Sequence, residues 1–217
     1  MQISRRLGIV ARMLAGCNTI YDIGSDHGLL PVYMLLEDMA EYAVLSDISA
    51  PAIERGRNNV IEYDLEDRAS VRVGDGLIGL SPKEEDAVSI CGMGGLTVLD
   101  ILTAAGDIPC PMVLQANTDH EDLRKGLQKM GYAITDEAIL RENGKFYIII
   151  KAEKGEMKLT DEEAFFGPIL LKEMSGTLVQ FANWQKSVYE KASCSGPSAE
   201  TARRMDVINR AFDIYFT

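Results

Sequence analysis

The stretch that most constrains this chain is Asp22-Ile23-Gly24-Ser25-Asp26-His27-Gly28. A short β-prone run, Thr19-Ile20-Tyr21, leads into it, and the apolar run Leu29 to Leu36 leaves it. A strand that breaks at an acidic, glycine-bearing turn and continues as a helix is the entrance to a nucleotide-type cofactor site. Asp47 closes the next strand-like run, Ala43-Val44-Leu45-Ser46, and places a second carboxylate within reach of ribose hydroxyls. The turn is not G-x-G-x-x-G. It lacks the close glycine pair that admits a pyrophosphate, and Asp22 and Asp26 would repel that anion. A cofactor without phosphate and with a cationic centre fits these charges, and S-adenosylmethionine has that chemistry.

The rest of the chain alternates. Strand-like runs fall near 19–23, 42–47, 69–73, 86–91 and 111–116, and helix-like runs near 28–38, 50–62, 95–105 and 119–130. An amphipathic segment, Arg5 to Leu14, precedes them, with Leu7, Val10, Ala11 and Leu14 at helical spacing. Such alternation predicts βαβ units, a parallel sheet and right-handed crossovers. After Gly131, Tyr132 to Leu140 and Phe146 to Ala152 read as two strands joined through Asn143-Gly144, a strong hairpin signal. Five strands in βαβ order followed by an antiparallel hairpin give the seven-stranded layout of an α/β class I methyltransferase. Residues 1–155 are expected to form that domain and 156–217 a helical appendage. Thr160-Asp161-Glu162-Glu163 reads as a capping box. Leu170, Met174, Leu178, Phe181, Trp184 and Val188 then form one stripe. A break over Ser193 to Ser198 separates it from a second, Met205, Ile208, Phe212 and Tyr215. Two amphipathic segments around a tight break predict an antiparallel, coiled-coil-like helical hairpin whose stripes pack on each other.

At 217 residues, with 47% hydrophobic and 25% charged residues, the chain can bury a full core. Its longest apolar run, Leu29 to Leu36, is too short to span a membrane. Three arginines, Arg5, Arg6 and Arg12, stand near the start without an apolar signal core, so a cytoplasmic location is expected. Cys17, Cys91, Cys110 and Cys194 are scattered with no C-x-x-C pair, which argues for reduced thiols and against a metal site. The formal charge of −11 argues against indiscriminate nucleic-acid binding and leaves room only for a local basic patch.

Four stations lie at successive strand ends, which converge on one edge of such a sheet. In the first, Gly24 lets backbone approach the methionine moiety and Asp22 or Asp26 faces its positive groups. In the second, Asp47 takes the ribose hydroxyls and Ile48 packs on the adenine. In the third, Asp75 of Gly74-Asp75-Gly76 holds the adenine amino group. In the fourth, Cys91-Gly92-Met93-Gly94-Gly95 offers bare backbone. Taken singly each has a plainer reading, as a turn, a helix cap or helix-entry packing; the information lies in their joint order. His27 sits inside the expected pocket, whereas His120, between Asp119 and Glu121, reads as a solvated helix start. No histidine accompanies a nucleophile, so a hydrolase triad has no support. The Asp/Asn-Pro-Pro-aromatic motif of amino-directed nucleic-acid methyltransferases is missing from the fourth station. This favours a ring nitrogen, whose in-plane lone pair needs chiefly alignment and desolvation.

The chain resembles the bacterial tRNA (adenine-22-N1)-methyltransferases. The resemblance is carried by Arg6-Leu7, the Asp22-to-Gly28 turn with Pro31, Val71-Arg72-Val73-Gly74-Asp75-Gly76-Leu77 and Gly92-Met93-Gly94-Gly95. Leu114-Gln115-Ala116-Asn117 with Arg124, Gly131-Tyr132, Tyr147-Ile148-Ile149 and Phe166-Gly167-Pro168 extend it over nearly the whole chain. It implies a Rossmann-like fold and methyl transfer from S-adenosylmethionine to N1 of an adenine in the D-arm region of tRNA. That base would have to be flipped out of the folded RNA. It puts the cofactor on Asp22, Gly24, Ser25, Asp26, His27, Asp47, Ile48, Asp75, Gly76, Cys91, Gly92 and Met93. Asp26 and Asn117 are then the candidate catalytic residues, with Arg6, Asn117, Arg203 and Arg204 toward the tRNA. Arg5, Arg12, Lys145 and Arg210 complete the available basic patch. Two positions depart from the family pattern: Ala116 replaces a proline, and Leu29 stands where an aromatic residue is usual. A monomer without metal is expected. The alternatives are a methyltransferase acting on another RNA or a small molecule, and a non-catalytic protein that binds the cofactor or tRNA.

Overall fold

A computed structural model describes residues 1–194 and 196–216. Helix α1 (Arg5–Leu14) is capped by Ser4, whose hydroxyl accepts from the Leu7 amide, and it buries Val10, Ala11 and Leu14. Strand β1 (Cys17–Ile23), helix α2 (Leu29–Leu36), strand β2 (Ala40–Asp47), helix α3 (Ala50–Glu62) and strand β3 (Ala69–Val73) follow. Next come β4 (Ala87–Met93), α4 (Gly95–Ala105), β5 (Met112–Ala116) and α5 (His120–Lys129). Strands β6 (Tyr132–Glu142) and β7 (Lys145–Lys154) form the hairpin, turning at Asn143 and Gly144, both at positive φ.

The seven strands form one sheet in the order β3-β2-β1-β4-β5-β7-β6. The first five are parallel, and β7 runs antiparallel to both β5 and β6. This is the Rossmann-like class I methyltransferase sheet. The strand order reverses between β1 and β4, and ligands of open α/β sheets bind outside the carboxyl ends at such a switch. Alternating residues of the central strands feed two cores. Val113 and Ile149 join α1 and α2 on one face. Met112, Leu114, Ile148 and Ile150 join α4, α5 and the C-terminal helices on the other.

The capping box at Thr160–Glu163 is formed and opens α6 (Asp161–Phe166). The single long helix expected from the following stripe is instead broken twice. Gly167, at φ 108, and Pro168 stop α6 and start α7 (Pro168–Glu173); Met174, in the left-handed region, and the Ser175 cap then start α8 (Gly176–Ser193). The apolar spacing of three and four runs across both breaks, which hid them. Helix α9 (Ala199–Tyr215) returns antiparallel to α8: Arg204 Nη1 donates to the Tyr189 hydroxyl, and Lys186 Nζ sits over the Phe212 ring. Ser195, within the expected break, and Thr217 lie outside the described residues. The stripes do not simply face each other. Val207, Ile208 and Ala211 of α9 share the sheet's core with Leu170 and Leu178, whereas Trp184 and Val188 of α8 are exposed.

Candidate active site

The first turn is built around Asp22. Its carboxylate is buried and accepts from the Ser25 hydroxyl at 2.5 Å and from the Ser89 hydroxyl of β4, also at 2.5 Å. No cationic side chain pairs with it among the described residues. Burial pushes its pKa up to about 6, against the lowering by the two hydroxyls and with a further rise from Asp47. Gly24, at φ 75, and Ser25 donate backbone N–H groups to the Ser46 carbonyl, which ties the turn to β2. Gly28, at φ 62, lies against Gly56 of α3, and a Cβ there would strike Leu45 at 2.5 Å. The turn is therefore shaped by close backbone packing.

At the second station, Asp47 Oδ1 accepts from the Ser49 amide at 2.7 Å. At the fourth, the β4–β5 register shifts between Cys91 and Met93, so Gly92 is bulged. A Cβ on Gly92 would meet nothing, whereas one on Gly95 would meet the Asp119 carbonyl oxygen at 2.6 Å. The glycine run thus does two jobs: Gly92 leaves space, and Gly95 lets α4 touch the loop after β5. Asn117 in that loop donates from Nδ2 to the Gly92 carbonyl at 2.7 Å and from its amide to the Met93 carbonyl at 2.7 Å. Gln115 donates to Asn117 Oδ1 at 3.1 Å and to the Ala116 carbonyl at 3.0 Å. Arg6 donates to Gln115 Oε1 and lies over the Tyr147 ring. These bonds fix the loop around Ala116.

A cavity of about 420 Å³ opens at this edge, lined by Arg6, Leu7, Asp22, Gly24, Asp26, Leu29, Leu30, Asp47, Cys91, Gly92 and Met93. The structure thus brings together eight of the expected residues: Arg6, Asp22, Gly24, Asp26, Asp47, Cys91, Gly92 and Met93. Ser25 stands behind them as a hydrogen-bond donor to Asp22, and Asn117 abuts them through Gly92. His27, Ile48, Asp75 and Gly76 are not in this lining; Ile48 is 73% exposed, and Ser46 Oγ contacts the Gly76 carbonyl at 3.5 Å. Asp26 is exposed at the rim and accepts from Arg55 Nε at 2.9 Å. Arg203 and Arg204 lie apart on α9, paired with Glu121 and Glu200. Sequence reasoning missed Ser89, Arg55 and the apolar wall of Leu7, Leu29 and Leu30. Leu29 and Leu30 directly follow the turn, which was the available signal.

His120 corrects the reading of a solvated helix start. It is half-buried, with Nε2 3.0 Å from the Ala116 carbonyl oxygen, and burial beside Arg124 lowers its pKa to about 4. It is neutral near pH 7 and braces the loop. Burial and Asp22 push the Cys91 thiol up to about 12, so it offers no thiolate. Among the described residues no group of three or more His, Cys, Asp or Glu side chains could hold a metal ion, and no helix is long and apolar enough to cross a membrane.

The residues fit a cationic, phosphate-free cofactor: a buried carboxylate lacking a cationic partner among the described residues, a second carboxylate 25 residues on, and open backbone at Gly24 and Gly92. A family model described as TrmK, tRNA (adenine(22)-N(1))-methyltransferase, matches residues 20–212. The chain belongs to this family. The tRNA (adenine(22)-N(1))-methyltransferase of Bacillus subtilis (strain 168) is 31% identical over 98% of both chains. A Streptococcus pneumoniae protein crystallised in complex with S-adenosyl-L-methionine superposes with a TM-score of 0.88 at 30% identity, covering 97% of this chain and 99% of that one. The crystal structure of the B. subtilis member of the TrmK family gives 0.86 at 31% identity over 98% and 99%. These superpositions cover 97% and 98% of this chain and so extend over its C-terminal helices.

Proposed function

We infer that this chain transfers the methyl group of S-adenosylmethionine to N1 of adenine 22 in tRNA, working in the cytoplasm as a monomer. The observation that carries the reading is Asp22, a buried carboxylate lacking a cationic partner, facing a cavity at the switch point of a sheet of this family. When bound, S-adenosylmethionine supplies an electrophilic methyl group on a sulfonium centre.

The chain's own residues supply binding and alignment. Asp22, held by Ser25 and Ser89, would face the positive end of the cofactor and Asp47 would take the ribose hydroxyls, with Ile48, His27, Asp75 and Gly76 assigned to the adenine. Leu7, Leu29 and Leu30 exclude water from one wall. Asn117 has one amide proton given to Gly92 and one lone pair engaged by Gln115. This leaves one donor and one acceptor for the edge of an adenine. The ring nitrogen attacks with its own in-plane lone pair. The proton is lost afterwards from the exocyclic amine, so alignment carries most of the rate. In this reading Asp26, paired with Arg55 at the rim, receives that proton, and Arg6, on the lining of the same cavity, meets the RNA backbone. In this reading residues 1–155 hold the cofactor and residues 156–217, with Arg203 and Arg204, serve the tRNA.

The test is transfer from labelled S-adenosylmethionine to unmodified bulk tRNA, followed by nucleoside analysis. Label in 1-methyladenosine, lost in Asp22→Asn, is the expected result. Intact cofactor binding with no labelled nucleoside from any tRNA would sink the assignment.

A further inference from the structure

Apart from the cofactor pocket, a cleft of about 520 Å³ lies between the β6–β7 hairpin, the loop after β5 and α8. Asn117 and Arg204 on its lining have roles in the reading above, and its aromatic side chains have none. Its walls are aromatic. Trp184 is 50% exposed, and its ring lies 5.8 Å from that of Phe146, tilted by 33°. A half-exposed indole offers a flat apolar face and a polar N–H to a partner.

The charge at the rim differs from that of the whole chain. Arg141 lies 5.5 Å over the Phe146 ring and Lys145 follows the turn; among the described residues neither is paired with a carboxylate. Glu121, on the same lining, is engaged by Lys125 and Arg203, and Asp119 accepts from the Thr118 hydroxyl. In a chain of net charge −11, two cations without a carboxylate partner beside the partly buried Phe146 ring and the exposed Trp184 ring are complementary to a polyanion that carries planar bases. The cleft also neighbours the proposed reaction site. Asn117 lies in its lining and bonds to Gly92, which lines the cofactor pocket.

We propose that this cleft binds the unstacked strand of the substrate RNA beside the target adenine, stacking a base on Trp184 and Phe146 and setting its phosphates against Arg141 and Lys145. The proposal rests on the reading that the substrate is an RNA. Stacking tolerates any base and requires an unpaired one, so the cleft selects for a melted or looped strand rather than a sequence. The C-terminal helices thereby supply one wall of the substrate site.

Trp184 is the only tryptophan of the chain, so its fluorescence reports the cleft directly. The full-length protein is titrated with a short single-stranded RNA rich in unpaired adenine and with a blunt duplex of equal length. Saturable quenching by the single strand, much weaker with the duplex, is expected. Trp184→Ala and Arg141→Gln should each raise the KM for tRNA about tenfold, in line with the loss of one stacked base or one cation contact. Affinity for S-adenosylmethionine should stay unchanged, and Trp184→Phe should retain most of the tRNA affinity. Normal tRNA methylation with no quenching and an unaltered KM in Trp184→Ala would overturn the cleft and leave the activity standing. Quenching without methyl transfer to any tRNA would instead overturn the activity and keep the cleft as an RNA site.

Discussion

Arg124 and Glu137 form an ion pair from which solvent is fully excluded, with Nε 2.8 Å from Oε1. Arg124 Nη1 donates to the carbonyls of Ala164 and Phe165 at the end of α6. Glu137 Oε2 accepts from the Ile169 amide at 3.0 Å, at the start of α7, whose cap residue Gly167 has no side chain to do so. One pair thus satisfies both sides of the break between α6 and α7 and joins them to α5 and β6. Gly167 is required there, since a Cβ would meet Glu137 Oε2 at 2.6 Å and Arg124 Nη2 at 2.9 Å.

Removing one member strands a buried charge, which costs about 3–5 kcal/mol, whereas replacing both with apolar groups can be neutral. Arg124→Met should therefore lower stability in urea unfolding by about that amount, and Arg124→Met/Glu137→Met should recover part of it. A single variant within about 1 kcal/mol of the parent would show that the pair holds nothing together.

The sequence marked Arg124 and Phe166-Gly167-Pro168 as features of the resemblance without showing what they do. Their partners lie far along the chain: Arg124 meets Phe165 across 41 residues. The strands, α1 and the capping box were legible because periodicity and capping are local. The breaks at Gly167 and Met174 were masked by an apolar spacing that continues through them.

Asp22 should make cofactor binding sensitive to acid. Its carboxyl titrates at about 6 and must be ionised to face a positive group. Affinity for S-adenosylmethionine, measured by calorimetry, should be flat above pH 7 and fall progressively as pH drops through 6. In the protein without cofactor the stability effect has the opposite sense. A carboxyl whose folded pKa is raised stabilises most below its unfolded value, about 3.9, and that contribution is lost as pH rises through 6. Asp22→Asn should weaken binding at pH 7.5 and remove both slopes. A wild-type slope in the variant would assign the titration elsewhere.

At the site, the turn and the glycine run were legible as a sequence pattern, yet the separate duties of Gly92 and Gly95 were not, because they depend on the loop after β5. Gly95 donates its N–H to the Thr118 carbonyl at 3.0 Å and has backbone on its open side. Gly95→Ala must push α4 away from that loop and carry Asn117 with it. Displacement of a positioning group by about 1 Å can cost about a hundredfold in rate. The expected result is a kcat on tRNA lowered by one to two orders of magnitude with cofactor affinity changed far less. Equal losses in both would place the damage in the cofactor pocket.

Glu121 gives the last expectation, with the pH dependence reversed. Its carboxylate is buried at the start of α5 and receives Lys125 at 2.7 Å and Arg203 of α9 at 2.8 Å. Burial opposes its ionisation, but Arg203 and Lys125 outweigh it and hold the carboxyl below the usual carboxylate range. The stability it contributes is therefore present above the unfolded value of about 4.3 and lost as pH falls through the folded one. Glu121→Gln should cost about 1.5–3 kcal/mol at pH 7, the worth of hydrogen bonds to charged groups, and shrink to little near pH 3. Because α9 is anchored here, protease cleavage between α8 and α9 should quicken in the variant. Thermal unfolding of wild type and variant between pH 3 and 7 checks this, and parallel curves across that window would show that Glu121 does not secure α9 to the body.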